Sequence, residues 1–116
     1  MNYEIKKWFG NSIMICNIDN AESINKEIKE MVIRDMNPSG RLEIFPDKYI
    51  NQKRTEYDGS LDRLFKEIEK GIKVYLEKHN YNLDILDIYI TKAWASLTKK
   101  GELIDDHTHK ASHYSV

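Results

Sequence analysis

The apolar pattern of the chain changes its period near Leu86, and this change constrains the fold more than any other feature. Before it lies one helical stripe, made up of Leu61, Leu64, Phe65, Ile68, Ile72, Tyr75 and Leu76. Its three-to-four spacing predicts a helix from Leu61 to about His79. After it, Ile88, Ile90 and Trp94 follow a period of two, which predicts a strand of about ten residues. A turn at Gly101 follows, so we expect an α+β fold whose sheet opens late in the chain.

The residues before the long helix predict shorter elements. The run Ser12–Ile18 is typical of a strand, and Asp19 or Asn20 can cap a helix after it. The apolar stripe of that helix is Ile24, Ile28, Met31 and Val32, and Asn37-Pro38-Ser39-Gly40 should end it. A short strand is expected at Leu42–Phe45 and should end at Pro46. A turn at Asp58-Gly59 follows, and Ser60 can cap the next helix. Gly71 costs its helix about 1 kcal/mol relative to Ala, which suggests a close packing partner.

Size and composition restrict the classes of protein that we expect. A chain of 116 residues with 41% hydrophobic and 32% charged residues fits a single globular domain. The net charge of -1 and the lack of a dense Lys/Arg cluster argue against a nucleic-acid-binding surface. Cys16 is the only cysteine, so we expect no intrachain disulfide and interpret Cys16 as a small buried hydrophobe. No apolar run suits a signal peptide or a bilayer span, so we expect no membrane association and a cytoplasmic location.

Three of the four histidines lie within the last ten residues, at His107, His109 and His113. In an extended chain, side chains two positions apart project from the same face, so His107 and His109 could share one metal ion. Neutral imidazole binds iron, zinc, copper and nickel. The alternative is a pair of surface histidines on a polar loop that also contains Asp105 and Asp106. These two carboxylates could instead accept hydrogen bonds that fix an imidazole tautomer, or be solvated charges. We interpret His79, at the end of the long helix, as structural.

The order of these motifs resembles a family of 2-oxoglutarate- and Fe(II)-dependent oxygenases, related to prolyl hydroxylases and of the type found in phages and marine bacteria. The matching segments are the Trp94 strand with its turn at Gly101, then His107-Thr108-His109, then Ser112-His-Tyr-Ser-Val116. The likeness is loose over the whole chain and most specific over residues 88–116. It implies N-terminal helices packed on the opening strands of a double-stranded β-helix, or jelly roll. Residues 1–85 would be the helical and mixed portion of this single domain, and 86–116 the first barrel strands.

The same resemblance implies the cofactors and the site. In such enzymes two histidines and a carboxylate bind Fe(II), and 2-oxoglutarate is the co-substrate of a hydroxylation. His107 matches the first ligand, and His109 stands where the family usually has Asp. A neutral ligand there would leave the iron complex one unit more positive.

The family places its distal iron-binding His and its 2-oxoglutarate-binding basic residue downstream of the matched motif. Arg34, Arg41, Arg54 and Arg63 precede the motif and match neither role. The resemblance therefore implies an incomplete barrel and an inactive fragment, with an exposed sheet edge through which copies could associate. Two other interpretations stay open. One is a small α/β binding or interaction module with incidental histidines, and the other is a cupin-like metalloprotein.

Overall fold

The computed structural model of the chain describes residues 1–45, 61–107 and 109. They form a mixed α+β structure with two helices and two small antiparallel sheets. The elements in chain order are β1 (Tyr3–Trp8), β2 (Asn11–Cys16), α1 (Ala21–Asp35), β3 (Arg41–Phe45), α2 (Leu61–Lys78), a 3-10 turn (Leu83–Ile85) and β4 (Ala93–Ser96). The predictions for Pro46, Asp58-Gly59 and Ser60, and the matching segment at 112–116, fall outside the described residues.

The chain divides into two compact units. The first comprises Met1–Ile28 and Glu56–Ile88, and the second comprises Lys29–Thr55 and Tyr89–Val116. The first unit therefore holds β1, β2, the start of α1 and all of α2. The second holds the end of α1 together with β3 and β4.

The first unit opens with a hairpin of β1 and β2. Tyr3 lies opposite Cys16 and Trp8 opposite Asn11. Phe9 and Gly10 make the turn with φ angles of 50° and 81°, as the two central residues of a type I′ hairpin turn require. The prediction of β2 is confirmed, and the strand ends at Cys16, two residues before the predicted end at Ile18. β1 was not predicted, because Ile5 and Lys6 are its only half-buried positions and it shows no apolar alternation.

Helix α1 begins directly after the predicted capping residues Asp19 and Asn20 and ends before Pro38. The Ile24 amide donates to the Asn20 carbonyl oxygen at 3.1 Å, which closes the first turn. Ile24 is buried with 2% of its surface exposed, and Ile28, Met31 and Val32 are half-buried. The predicted apolar stripe is therefore confirmed.

Helix α2 lies against the inward face of β2. A methyl group added at Gly71 would be 3.4 Å from Met14 Cε and 3.6 Å from Cys16 Sγ. One helical turn further along, the Tyr75 hydroxyl donates to the Ser12 carbonyl oxygen at 3.0 Å. Four helical residues advance about 6 Å and two strand residues about 6.6 Å, so the two elements stay in step. The close packing partner predicted for Gly71 is confirmed, and Cys16 is half-buried rather than fully buried.

His79 connects the end of α2 to β2. Its Nδ1 lies 2.7 Å from the Tyr75 carbonyl oxygen, and its Nε2 lies 2.9 Å from Ser12 Oγ. Its ring also stacks on the Tyr75 ring with centroids 4.2 Å apart. Both nitrogens have partners inside the fold, which supports the interpretation of this histidine as structural.

The second unit is organised by the pairing of β3 with β4. Arg41 lies opposite Ser96 and Glu43 opposite Trp94, and the register shifts between Glu43 and Phe45. The Leu97 amide donates to the Gly40 carbonyl oxygen at 2.8 Å and extends the pairing by one step. The short strand predicted at Leu42–Phe45 is confirmed.

The long strand predicted from Leu86 is wrong in extent, because only Ala93–Ser96 pairs as a strand. Every side chain from Ile88 to Ala95 is half-buried, so the alternation in sequence does not separate a buried face from an exposed one. Within 86–116, the range expected to hold the first barrel strands, residues 102–107 form neither helix nor strand. The described residues show two small sheets and no barrel.

The described core is small and belongs to the first unit: Ile24, Leu61, Phe65 and Leu76. Several apolar side chains are exposed, among them Phe9 fully and Leu103 at 91%. Neither helix in the described parts of the chain has the length and apolar character needed to cross a bilayer.

Gly71→Ala should stabilise the protein. The methyl group fits in ordinary contact with Met14 and Cys16, while alanine favours the helix by about 1 kcal/mol over glycine. We expect urea unfolding to show a gain of about 0.5–1 kcal/mol. Gly71→Leu, which cannot fit against β2, should instead lower the free energy of unfolding by about 1–3 kcal/mol. A gain from both substitutions would show that α2 does not pack on β2 at this point.

Gly40→Ala should destabilise the protein more than Gly101→Ala. Both glycines have positive φ, 75° and 89°, and a side chain there costs about 1–2 kcal/mol. Only at Gly40 would the new Cβ also meet a backbone atom, the Leu97 carbonyl oxygen at 3.1 Å. Thermal unfolding of the two variants measures the difference, and equal losses would contradict the described junction of β3 and β4.

Candidate functional site

A groove of about 510 Å³ lies in the second unit beside β3 and β4. Its charged lining residues are Arg41, Lys92 and Glu102. The other lining residues are Ser39, Gly40, Trp94, Ser96, Leu97, Thr98, Leu103, Ile104, His107 and His109. The groove therefore collects both predicted metal ligands, the tryptophan of the strand and two cations.

Trp94 lies at the centre of this arrangement. The Arg41 Cζ atom is 4.9 Å from the centre of its ring system, and the Lys92 Nζ atom is 5.3 Å from it. Both positions follow from local geometry. Trp94 lies opposite Glu43 in the sheet, so Arg41 is its diagonal neighbour on the same face, and Lys92 is two residues away along the chain. Trp94 is half-buried.

The two predicted ligands lie side by side. The ring centroids of His107 and His109 are 5.0 Å apart with an angle of 73° between their planes. Imidazole nitrogens bind divalent metals at about 2.0–2.1 Å, so two rings on one ion have centres no more than about 6.5 Å apart. The observed separation meets this limit. The pair is thus close in space although its segment is not a strand.

The backbone orients the His107 ring and selects the tautomer of its neutral form. Its Nδ1 lies 2.8 Å from the Asp105 carbonyl oxygen. A carbonyl oxygen only accepts hydrogen bonds, so Nδ1 is the donor, and in the neutral ring this leaves the lone pair on Nε2. This is the arrangement found in metal-binding histidines, whose second nitrogen donates to an orienting acceptor. The acceptor here is the main chain of Asp105, whereas the sequence suggested the carboxylates of Asp105 and Asp106.

His109 joins the pair to the rest of the groove. Its ring centroid is 5.2 Å from that of Trp94, with an angle of 33° between the planes. A continuous set of ring and cation contacts therefore runs from Arg41 and Lys92 through Trp94 to the two imidazoles. A ligand in the groove would change the environment of Trp94, which makes this tryptophan a reporter of binding.

The donor set is incomplete for a tightly bound metal. Within residues 1–45, 61–107 and 109, no group of three or more His, Cys, Asp or Glu side chains is placed to hold an ion. Two neutral imidazoles fit the donor chemistry of Fe(II), Co(II), Ni(II) or Zn(II). A further ligand would have to come from outside the described residues.

Arg41 and Lys92 were not predicted as site residues. Arg41 is more than 60 positions away from the histidine pair in sequence, and only the register of β3 on β4 brings it to Trp94. The sequence carried one signal for Lys92. It is two positions from Trp94 in a run predicted to be a strand, which places both side chains on one face.

Comparison with protein-family models, with curated proteins and with solved structures found no match to this chain.

Proposed function

We propose that this chain provides two iron ligands, His107 and His109, of a 2-oxoglutarate- and Fe(II)-dependent oxygenase. The observation that carries the proposal is the adjacency of the two rings, together with the backbone hydrogen bond that leaves His107 Nε2 available. In this proposal the paired strands belong to the opening part of a double-stranded β-helix, with residues 1–85 as its helical portion. The order of the Trp94 strand, the Gly101 turn and the His-x-His motif supports that fold.

Asp105 and Trp94 position the two ligands in this proposal. The Asp105 carbonyl holds the neutral His107 ring in the tautomer whose Nε2 lone pair can bind a metal. Trp94 packs against His109 and limits the orientations of that ring. Bound Fe(II) would supply oxygen activation, with 2-oxoglutarate as the reductant that is decarboxylated to succinate. The third ligand of such a site lies outside the described residues.

A second candidate function is a protein-interaction module in which the histidines have no ligand. Its support is the apolar margin of the groove, where Leu97, Leu103 and Ile104 are 52%, 91% and 63% exposed. Exposed apolar clusters of this kind are common at interaction surfaces. Metal binding separates the two functions, because only the first requires it.

Co(II) titration tests the proposal, with Co(II) as an oxygen-stable substitute for Fe(II). In a Trp8→Phe background, Trp94 is the only fluorophore of its type, and its ring is 5.2 Å from that of His109. We expect weak but saturable quenching of Trp94 by Co(II). His107→Ala and His109→Ala should each reduce the affinity by at least about tenfold, since a two-ligand site cannot lose a ligand and persist.

The matched control is His79→Ala, which removes a histidine whose two nitrogens already have partners in the fold. Its Co(II) affinity should equal that of the parent. Unchanged binding in His107→Ala would contradict the assignment, and no binding by the parent would favour the interaction module. Succinate formation from 2-oxoglutarate with Fe(II) would distinguish an oxygenase from a cupin-like protein that binds metal through the same residues.

A further inference from the structure

We propose that the outer edge of β1 is a homodimer interface, where β1 pairs antiparallel with β1 of a second copy and the pairing is centred on Ile5. This edge belongs to the first unit, and the pairing depends on neither the metal ligands nor the proposed oxygenase function. It is also distinct from the barrel edge that the sequence resemblance implied. A second copy would extend a two-stranded sheet, which is marginal by itself, to four strands.

The hydrogen-bond pattern of the hairpin determines which backbone groups of β1 face outward. Trp8 and Asn11 flank the two-residue turn and lie opposite each other, so they exchange hydrogen bonds, and the pattern repeats at every second residue. At the open end the Asn17 amide donates to the Asn2 carbonyl oxygen at 3.1 Å, which agrees with this pattern. The even-numbered residues of β1 therefore bond to β2, and the odd-numbered residues direct their amides and carbonyls to the outer edge.

The outer edge of β1 thus consists of Tyr3, Ile5 and Lys7. Within residues 1–45, 61–107 and 109, no hydrogen bond from outside the hairpin is described to their backbone groups. The edge of β2 differs, because the Tyr75 hydroxyl of α2 donates to the outward carbonyl oxygen of Ser12. Among the described elements, α2 therefore covers part of the edge of β2 and none covers the edge of β1, where a further strand can add.

The charges of β1 favour a second copy of the same strand as that partner. When the pairing is centred on Ile5, odd-numbered residues lie opposite odd-numbered residues, so each outward amide meets a carbonyl of the other copy. Glu4 of each copy then lies opposite Lys6 of the other, in the non-hydrogen-bonded positions where side chains are closest. Opposite charges at such positions attract. The strand is therefore self-complementary, as a two-fold interface between identical chains requires.

The same charges exclude the neighbouring registers. A pairing centred on Glu4 or on Lys6 would place that residue opposite its own copy, and like charges directly opposite are destabilising. Charged edge strands commonly prevent association, whereas the order of charges in β1 permits it in one register. Lys6 already pairs with Glu4 of its own chain at 3.6 Å, and both side chains are accessible, at 39% and 63%. Lys6 can keep this exposed contact, worth at most about 1 kcal/mol, and lie beside the second carboxylate as well.

Sedimentation equilibrium with charge-reversed variants tests the interface. The parent should show a concentration-dependent equilibrium of monomer and dimer. Glu4→Lys and Lys6→Glu should each raise the dimer dissociation constant by about tenfold or more, because each substitution makes both cross-strand pairs repulsive. The double variant Glu4→Lys/Lys6→Glu restores attraction in both pairs, so it should recover the dissociation constant of the parent.

An equimolar mixture of the two single variants separates pairing between copies from an effect within one chain. Each variant repels its own copy, whereas in a mixed pair every charge of one strand faces its opposite. The mixture should therefore form heterodimers although neither variant associates well alone. The matched control is Lys66→Glu, which makes the same change in net charge on α2 and removes the exposed ion pair with Asp62. It should leave the dissociation constant unchanged.

The backbone contribution is tested at Tyr3, the first residue of β1. Proline is accepted at the first residue of a strand, and the Tyr3 amide points away from β2, so Tyr3→Pro keeps the hydrogen bonds of the hairpin. It removes the amide that would donate to Lys7 of the second copy. Tyr3→Pro should therefore weaken the dimer more than Tyr3→Ala does, while far-UV circular dichroism of both variants matches the parent.

Three results would overturn the inference. They are a parent that stays monomeric at the highest concentration reached, a mixture that associates no better than its two components, and a double variant as weak as either single variant. A monomeric parent would leave the edge of β1 to a strand of a different protein. Loss of Co(II) binding in His107→Ala with an unchanged dimer would show that the two sites are independent, as expected.

Discussion

The pairing of β3 with β4 is the interaction on which the candidate site depends. Its register puts Glu43 opposite Trp94 and therefore sets Arg41 diagonally against the same ring. A shift of one residue would send Arg41 to the other face of the sheet, since side chains alternate along a strand. Gly40 protects this register, because its carbonyl oxygen accepts from the Leu97 amide in a backbone conformation that favours glycine. Two-stranded sheets are marginal by themselves, so each such contact matters.

Two histidines of this chain show how local hydrogen bonding separates a structural role from a chemical one. At His79, Nδ1 faces the Tyr75 carbonyl and Nε2 faces Ser12 Oγ, so both nitrogens serve the packing of α2 on β2. At His107, Nδ1 is held by the Asp105 carbonyl, and the described residues place no hydrogen-bond partner at Nε2. The same side chain is therefore committed to the fold in one place and available to a ligand in the other.

The elements with a strong period were predictable. Helix α2 was expected from Leu61 to about His79 and runs from Leu61 to Lys78, because its apolar stripe repeats over about four turns and its burial follows that stripe. The strand at Leu86 was overestimated, because alternation in sequence does not say how many residues find a partner strand. β1 was missed because a hairpin strand with most of its side chains exposed needs no apolar alternation. The structure shows an α+β arrangement, and the jelly roll stays a proposal.

Local chemistry alone determined the helices, the glycine turns and the spacing that puts His107 and His109 near each other. Those features depend on residues a few positions apart, and so the sequence carries them directly. The position of Arg41 beside Trp94 was decided only by tertiary structure, because it needs two segments about fifty residues apart to pair in one register. The same is true of the surroundings of Gly71, because only the packing of α2 on β2 places Met14 and Cys16 beside it. Sequence proximity thus produced the imidazole pair, and strand pairing produced the charged groove around it.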